Sequence, residues 1–373
     1  MIREVNWERA GSWKLPAEML ERVFHLLPPK DRKVVVLVCR WWREVGEAPC
    51  LWKWVVLRVA QENQGSMAEL LRSRRVGRLG RLVVRDGVGL SEELLQAVAA
   101  HPALERLLMG AYVTPPPRPS LVAEVLGGVE ELRLSTQLRR DYSAWLEAVA
   151  SLPQEGSRLR KLNLSENTLS SKVEPELLGR TVARVEEVNL WRTSLSPQQG
   201  AALCSALQEP ASRVRVLNLS ETNLATVRAE ELGAAVARLE EVNLDYTRLT
   251  STQARQLWAA LAGPSRLRKL TIQNNCLSSV EPEVLAEAAN RLEVLDLHEG
   301  GCAGLDLHEG SLTWHQVTAL LRRALLGTSL RHLMFSYTFQ PPTEQYRAYV
   351  TLVRRAKKAI PAIYPHRLRP PPA

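Results

Sequence analysis

The chain has 373 residues, of which 45% are hydrophobic and 24% charged, with a formal net charge of +9. That balance belongs to a folded protein and excludes wholesale disorder. No run reaches the ~20 apolar residues a bilayer span needs, and the opening MIREVNWERAGSW has no apolar signal core, so neither a membrane-spanning nor a secreted chain is expected. The basic surplus admits nucleic acid, anionic lipid or acidic protein as partners without selecting one. Cys39, Cys50, Cys204, Cys276 and Cys302 are scattered, with no CxxC pair, and read as free thiols of a reducing cytosol or nucleus.

The tryptophans divide the chain. Trp7, Trp13, Trp41, Trp42, Trp52 and Trp54 all fall in the first 54 residues, and the other four are spread over the rest. This opening segment reads as three short helices. Pro16 suits an early helical position, where a missing N–H costs nothing. Met19, Leu20, Val23, Phe24, Leu26 and Leu27 recur at helical spacing until Pro28-Pro29. Asp31 begins a second helix through Val34–Val38. Cys39, Arg40, Trp41, Trp42 and Val45 carry a third, broken at Gly46 and Pro49. About forty residues cannot bury so much apolar surface alone. The next domain, a partner, or both must cover it.

The order Leu15-Pro16-x-Glu18-x-Leu20-x-x-Val23-Phe24-x-Leu26-Leu27-Pro28, then Asp31, Val38-Cys39-Arg40-x-Trp42-Arg43 and Leu51-Trp52, resembles an F-box. The resemblance implies binding to the Skp-family adaptor of a cullin-RING ubiquitin ligase core. It marks Leu15, Pro16, Leu27, Pro28, Cys39 and Trp42 as adaptor-facing or interface-shaping positions, with Cys39 expected to be buried and structural. Arg32-Lys33 depart from the pattern, where F-boxes commonly carry leucine.

The remainder is a repeat array. The template L-x-x-L-x-L-x-x-N-x-L is complete at Leu159, Leu162, Leu164, Asn167 and Leu169, and again at Leu267, Leu270, Ile272, Asn275 and Leu277. Three copies between them start at Val185, Val214 and Leu239 and carry Thr193, Thr222 and Thr247 at the asparagine position. Leu292 starts another, and weaker starts lie at Leu79, Leu104, Val129 and Leu330. The spacings alternate short and long, so the unit of duplication is a pair of about 54 residues. Each copy predicts a short strand with L-x-L turned inward, an Asn or Thr bonding the backbone at the turn, and a helix. Helix starts are expected at Ser196-Pro197 and at Thr250 or Ser251. One strand and one helix cannot close a core, but stacked copies can.

The array resembles leucine-rich repeats of the long-helix, ribonuclease-inhibitor style. The expected fold is therefore α/β: an N-terminal three-helix F-box followed by a leucine-rich-repeat horseshoe. The expected boundaries are F-box 12–57, linker or first cap 58–75, repeats 76–340, and a basic helix with a disordered tail over 341–373. Two arginine-rich stretches, Arg72–Arg85 and Arg354–Arg369, read as solvated surface. The proline run 115–119 reads as a loop. The duplicated LDLHEG at 295–300 and 305–310 reads as a bulge. It brings His298, Glu299, His308, Glu309 and His315 together in sequence, but at no metal-binding spacing, and no metal or cofactor is expected.

Side-chain alternation turns the fifth template position toward the concave wall. There Asn189, Asn218 and Asn243 form a row that can offer donors and acceptors to a ligand. Trp191, Arg192 and Tyr246 are of the type that dominates interfaces. These six are the candidate substrate-binding residues. Glu187, Glu241 and Asp245 stand among Lys161, Arg192 and Lys269, so a phosphate-tracking groove is disfavoured. No G-x-S-x-G, P-loop or H-E-x-x-H motif occurs, and no catalysis is expected. The reading is a substrate adaptor of a ubiquitin ligase, cytoplasmic or nuclear, holding a target protein on the concave face. The alternative is a leucine-rich-repeat binding or inhibitor scaffold whose N-terminal helices only cap the array. Exposure of the aromatic and apolar face of residues 15–54 discriminates between them.

Overall fold

The computed structural model describes residues 15–28, 31, 34–48, 51, 56–72, 79–84, 88, 90–101, 104–109, 118–134, 143–153, 156–297, 312–336 and 343–366. Several residues discussed above lie outside this set: Trp7, Trp13, Trp52, Trp54, Cys50, Cys302, Arg74, Arg75, Arg78, Arg85, prolines 115–117, Arg367, Arg369, and His298, Glu299, His308 and Glu309.

Twelve strands form one parallel sheet in chain order: β1 (Val56–Val59), β2 (Leu79–Val84), β3 (Leu104–Met109), β4 (Glu131–Leu134), β5 (Lys161–Asn163), β6 (Glu187–Asn189), β7 (Val216–Asn218), β8 (Glu241–Asn243), β9 (Lys269–Thr271), β10 (Val294–Leu297), β11 (His332–Ser336) and β12 (Ala362–His366). Parallel neighbours need a crossover rather than a tight turn. Helices supply it. Before β1 stand α1 (Ala17–Leu26) and α2 (Arg40–Gly46). Then come α3 (Gln64–Arg72), α4 (Glu92–Ala99), α5 (Pro119–Gly128), α6 (Ser143–Ala150), α7 (Pro175–Val182), α8 (Pro197–Gln208), α9 (Ala229–Val236), α10 (Ser251–Ala262), α11 (Pro282–Ala289), α12 (Trp314–Leu325) and α13 (Thr343–Ala359). Of the expected three N-terminal helices, α1 and α2 are described. Residues 31, 34 and 35 are also helical and 36–38 form a turn, while 29, 30, 32 and 33 lie outside the described set.

Each strand sends at least one apolar residue into a continuous core that runs from Leu57 through Leu162 and Val242 to Ile363, all buried. The pairwise duplication is visible in the helices. α7, α9 and α11 have eight residues, whereas α8, α10 and α12 have twelve. Members of a pair approach closely because glycine permits it. A Cβ at Gly179 would stand 3.0 Å from the Ala202 carbonyl oxygen, and one at Gly233 3.0 Å from that of Gln256.

The Asn/Thr position does what the repeat requires. Asn167 Nδ2 donates to the carbonyls of Leu134 (3.0 Å) and Leu164 (2.8 Å). Asn275 Nδ2 donates to that of Leu244 (2.7 Å). The hydroxyls of Thr193 and Thr222 both donate to the Leu190 carbonyl, and Thr247 donates to Leu244 (2.7 Å). These are buried donors meeting the carbonyls that each turn exposes.

A second set of inter-repeat bonds comes from the long helices. Ser196, Thr250 and Thr313 cap them and pair with Gln199, Gln253 and Gln316 in capping boxes. The same glutamines reach the previous repeat: Gln253 Nε2 donates to the carbonyls of Leu224 and Val227, each at 2.7 Å.

The array is longer than the sequence template suggests. β1 lies at the junction assigned to F-box and linker. β12 forms within the tail expected to be disordered, pairing with β11 from His332↔Ala362 to Ser336↔His366. The cause is one more strand–helix unit: α13 buries Tyr349, Val353 and Ala356, and Ile360 and Ile363 follow them into the core. Pro365 suits an edge strand, and among the described residues no strand lies beyond β12.

Candidate functional site

Two surfaces present side chains beyond what the fold consumes. The first is the outer face of the N-terminal helices. α1 is apolar on two sides. Leu20 and Phe24, one turn apart, are buried and join the solenoid core together with Val35, Val36, Val45 and Leu51. Leu15, Met19, Val23 and Leu26 follow the opposite stripe and are exposed, Leu26 at 86%. Val34, Leu37 and Val38 are exposed as well, with Leu37 at 68%. Phe24 meets Trp42 edge-on, ring centroids 5.3 Å apart. Arg43 Nε donates to the Val36 carbonyl (3.1 Å), tying α2 to the preceding turn. Gly46 lets the end of α2 lie against that turn, since a Cβ there would be 3.0 Å from Val36 Cγ1.

Of the expected adaptor positions, Leu15, Pro16, Pro28 and Cys39 are exposed, whereas Leu27 and Trp42 are half-buried against the core. Cys39 is therefore not the buried residue anticipated. It stands at the N-cap of α2, where its Sγ accepts the Trp42 N–H at 3.4 Å. The residues that sequence reasoning missed as surface are Met19, Val23, Leu26, Val34, Leu37 and Val38.

The second surface is the concave wall. The sheet register aligns Asn163, Asn189, Asn218 and Asn243 in one row. The Oδ1 of each accepts the backbone N–H two residues on, at 2.9, 2.9, 3.0 and 2.9 Å. The acceptors close an Asx turn at the end of each strand. Each turn engages one acceptor site of the asparagine oxygen, and the Asn243 side chain also hydrogen-bonds the Asp245 carboxylate. Where the row carries Thr271 instead, the Gln273 N–H turns to Asp245 Oδ1 (2.7 Å) in the adjacent repeat.

Trp191, Arg192 and Glu221 form a cluster. The indole N–H donates to Glu221 Oε1 (3.1 Å), and Arg192 Nε lies 3.8 Å from Oε2. Arg192 and Tyr246 share a template position with Glu166, Glu221 and Asn274, and all five have φ between 53° and 60°. This left-handed conformation costs roughly 1–2 kcal/mol for residues other than glycine. It aims each N–H at the next repeat: Arg192 N–H meets the Ser220 carbonyl and Tyr246 N–H the Gln273 carbonyl, both at 2.8 Å.

Asp245 is a half-buried carboxyl beside Asp296. Burial is the main cause that pushes its pKa above the ordinary carboxylate value, and the Asp296 charge adds to it. The Gln273 N–H opposes them. A raised folded-state pKa means the folded protein holds this proton to higher pH than the unfolded chain. Its contribution to stability therefore grows as pH falls through the folded value toward the unfolded one, and is lost as pH rises. Asp245→Asn keeps an oxygen acceptor for Gln273. It is expected to melt higher than wild type at pH 7, with the difference shrinking toward pH ~4. Thermal unfolding at the two pH values checks this, and an equal or lower melting point at pH 7 contradicts it.

Among the described residues, no group of three or more His, Cys, Asp or Glu side chains could hold a metal ion. Burial pushes the Cys204 thiol up to about 12, which keeps it protonated and inert. No helix among the described residues is long and apolar enough to cross a membrane.

The fold and these surfaces define a class: a solenoid of parallel strand–helix repeats fronted by a helical module with exposed apolar side chains. Residues 12–58 match the F-box-like family, so the chain carries an F-box-like domain at its N-terminus. Among solved structures, the TLR13–ssRNA13 complex resembles the chain at 14% identity with a TM-score of 0.40, over 69% of this chain and 32% of that one. The chain thus spans about a third of the length of that neighbour. No curated protein sequence matches it.

Proposed function

We propose that this protein is a non-catalytic substrate receptor of an SCF-type ubiquitin ligase. The F-box-like domain docks on the Skp-family adaptor of the cullin-RING core, and the concave wall recruits a protein target, with Asn189, Trp191, Arg192, Asn218, Asn243 and Tyr246 contributing contacts. The receptor accelerates ubiquitin transfer by proximity, holding target lysines near the charged carrier. Such work belongs to the cytosol or nucleus.

One observation carries the reading. Seven large apolar side chains of the F-box-like domain stand exposed. Covering each contributes roughly 1.5–3 kcal/mol relative to leaving it in water, enough in sum to offset the cost of association. The scaffold alternative accounts for the inner face, which caps the repeats, but gives the outer face no role.

The test is capture of purified Skp-family adaptor by the full chain and by a Leu26→Asp/Leu37→Asp double variant. Both side chains point to solvent, so the variant is expected to melt like wild type while losing at least about 100-fold in affinity, the scale of two lost interface anchors. Wild-type protein that captures no adaptor, or a variant that captures it equally well, refutes the proposal.

A further inference from the structure

The concave wall is not electrostatically uniform. Along its middle, cations are paired across the register: Lys161 with Glu187 (2.7 Å), Lys269 with Glu241 (3.3 Å) and Arg192 with Glu221 (3.8 Å). The first four strands differ. Their outward positions form two rows. One runs Val56, Arg81, Arg106, Glu131, and the other Arg58, Val83, Leu108, Arg133. Arg106 is paired with Glu131 at 3.0 Å. Among the described residues, Arg58, Arg81 and Arg133 have no acidic partner, and Glu131 is the only acid in either row.

We infer that this end of the concave wall binds an extended acidic segment of a partner protein with the pattern acid-x-apolar-x-acid. The spacing carries the pattern. Arg58 and Arg133 bracket Val83 and Leu108 on one row, three strand spacings apart, or about 14 Å. In an extended peptide, residues i, i+2 and i+4 share one face, and the outer two lie about 13–14 Å apart. Two carboxylates so placed meet the two guanidiniums in charge-assisted hydrogen bonds, while the residue between them covers Val83 and Leu108. Arg81, in the neighbouring row, adds a third positive charge. Nucleic acid fits less well. A phosphate chain favours unbroken cations, whereas apolar residues interrupt them here, and no aromatic side chain occupies an outward position of these four strands to stack a base.

The inference does not depend on the ubiquitin reading, because the patch lies on β1–β4 and shares no residue with the exposed face of α1. The experiment uses the full chain and a fluorescein-labelled peptide, Gly-Ser-Asp-Ser-Leu-Ser-Asp-Ser-Gly, followed by anisotropy at two salt concentrations. Comparison probes carry Asn for both Asp, Ser for Leu, or phosphoserine for both Asp; an oligo-dT strand is the fourth.

The acidic peptide is expected to bind about tenfold or more tightly than its Asn copy, and more weakly at the higher salt. Arg58→Gln/Arg133→Gln is expected to abolish that preference, while Lys269→Gln, which removes a cation paired with Glu241, changes it less than about twofold. The melting temperature of each variant is measured alongside. Should the double variant melt early, the wild-type comparison of Asp and Asn peptides decides alone. Equal binding of those two peptides overturns the inference. So does binding of the phosphoserine peptide alone, which would make the patch a phosphate reader. Tighter binding of oligo-dT that is lost in the same double variant overturns it in favour of nucleic acid.

Discussion

Gln253→Leu is expected to destabilise the protein by about 3 kcal/mol, although it replaces one side chain by another of similar size. Gln253 is 2% exposed and sits one turn into α10. Its Oε1 accepts the Thr250 N–H at 2.8 Å, and its Nε2 donates to Leu224 and Val227. The Leu224 carbonyl also receives the Val227 N–H (2.9 Å) and keeps one partner after the substitution. The Val227 carbonyl and the Thr250 N–H lose theirs, at about 1–3 kcal/mol each where burial keeps water from replacing the side chain. Urea unfolding measures the loss. A change below about 1 kcal/mol would mean that the site admits water. Gln199 and Gln316 make the same bonds, to Leu169 and Val173 and to Leu277 and Val280. Their substitutions should add to that of Gln253, since the three share no partner.

These clamps mark where the sequence was readable. The strand template, the Asn/Thr turn and the cap at Ser196 are short-range patterns, and each appears where its spacing places it. The capping half of the glutamine's role has a local signal that went unread, S/T-x-x-Q at Ser196, Thr250 and Thr313. Its other half has none, because the carbonyls it reaches lie 26 to 39 residues earlier and nothing local points to them. The asparagine row shows the converse. Its residues were found at once, but their type suggested a ligand contact where a two-residue Asx turn already engages one acceptor site of the oxygen. The apolar run of α1 was plain as well. With hydrophobic residues on both sides, its periodicity could not say which stripe the core takes, and packing assigns Leu20 and Phe24 inward. β1 escaped notice because VLRV lacks the leading leucine of the template, so Arg58 was not placed on the concave wall.

Trp258→Cys is expected to cost about 3 kcal/mol, even though the molecule itself places cysteine at the matching position one pair earlier. Cys204, Trp258 and Leu321 each lie eight residues past the N-cap of α8, α10 and α12, and all three are buried. One backbone position thus accepts side chains of very different volume, which requires neighbours refitted around each. Removing the indole leaves a cavity on the order of 100 Å3, and at ~24 cal/mol per Å3 this costs over 2 kcal/mol before the lost transfer energy is counted. One effect runs the other way. The indole N–H of Trp258 is buried with no acceptor among the described residues, so its removal returns about 1 kcal/mol or more. Trp258→Phe separates the two effects, since it also removes the orphan donor but keeps most of the ring, and it is expected to cost no more than about 1 kcal/mol. Denaturant midpoints for both variants decide the matter. A cysteine variant as stable as the phenylalanine one would mean that the repeats relax toward a common packing and are interchangeable at this site.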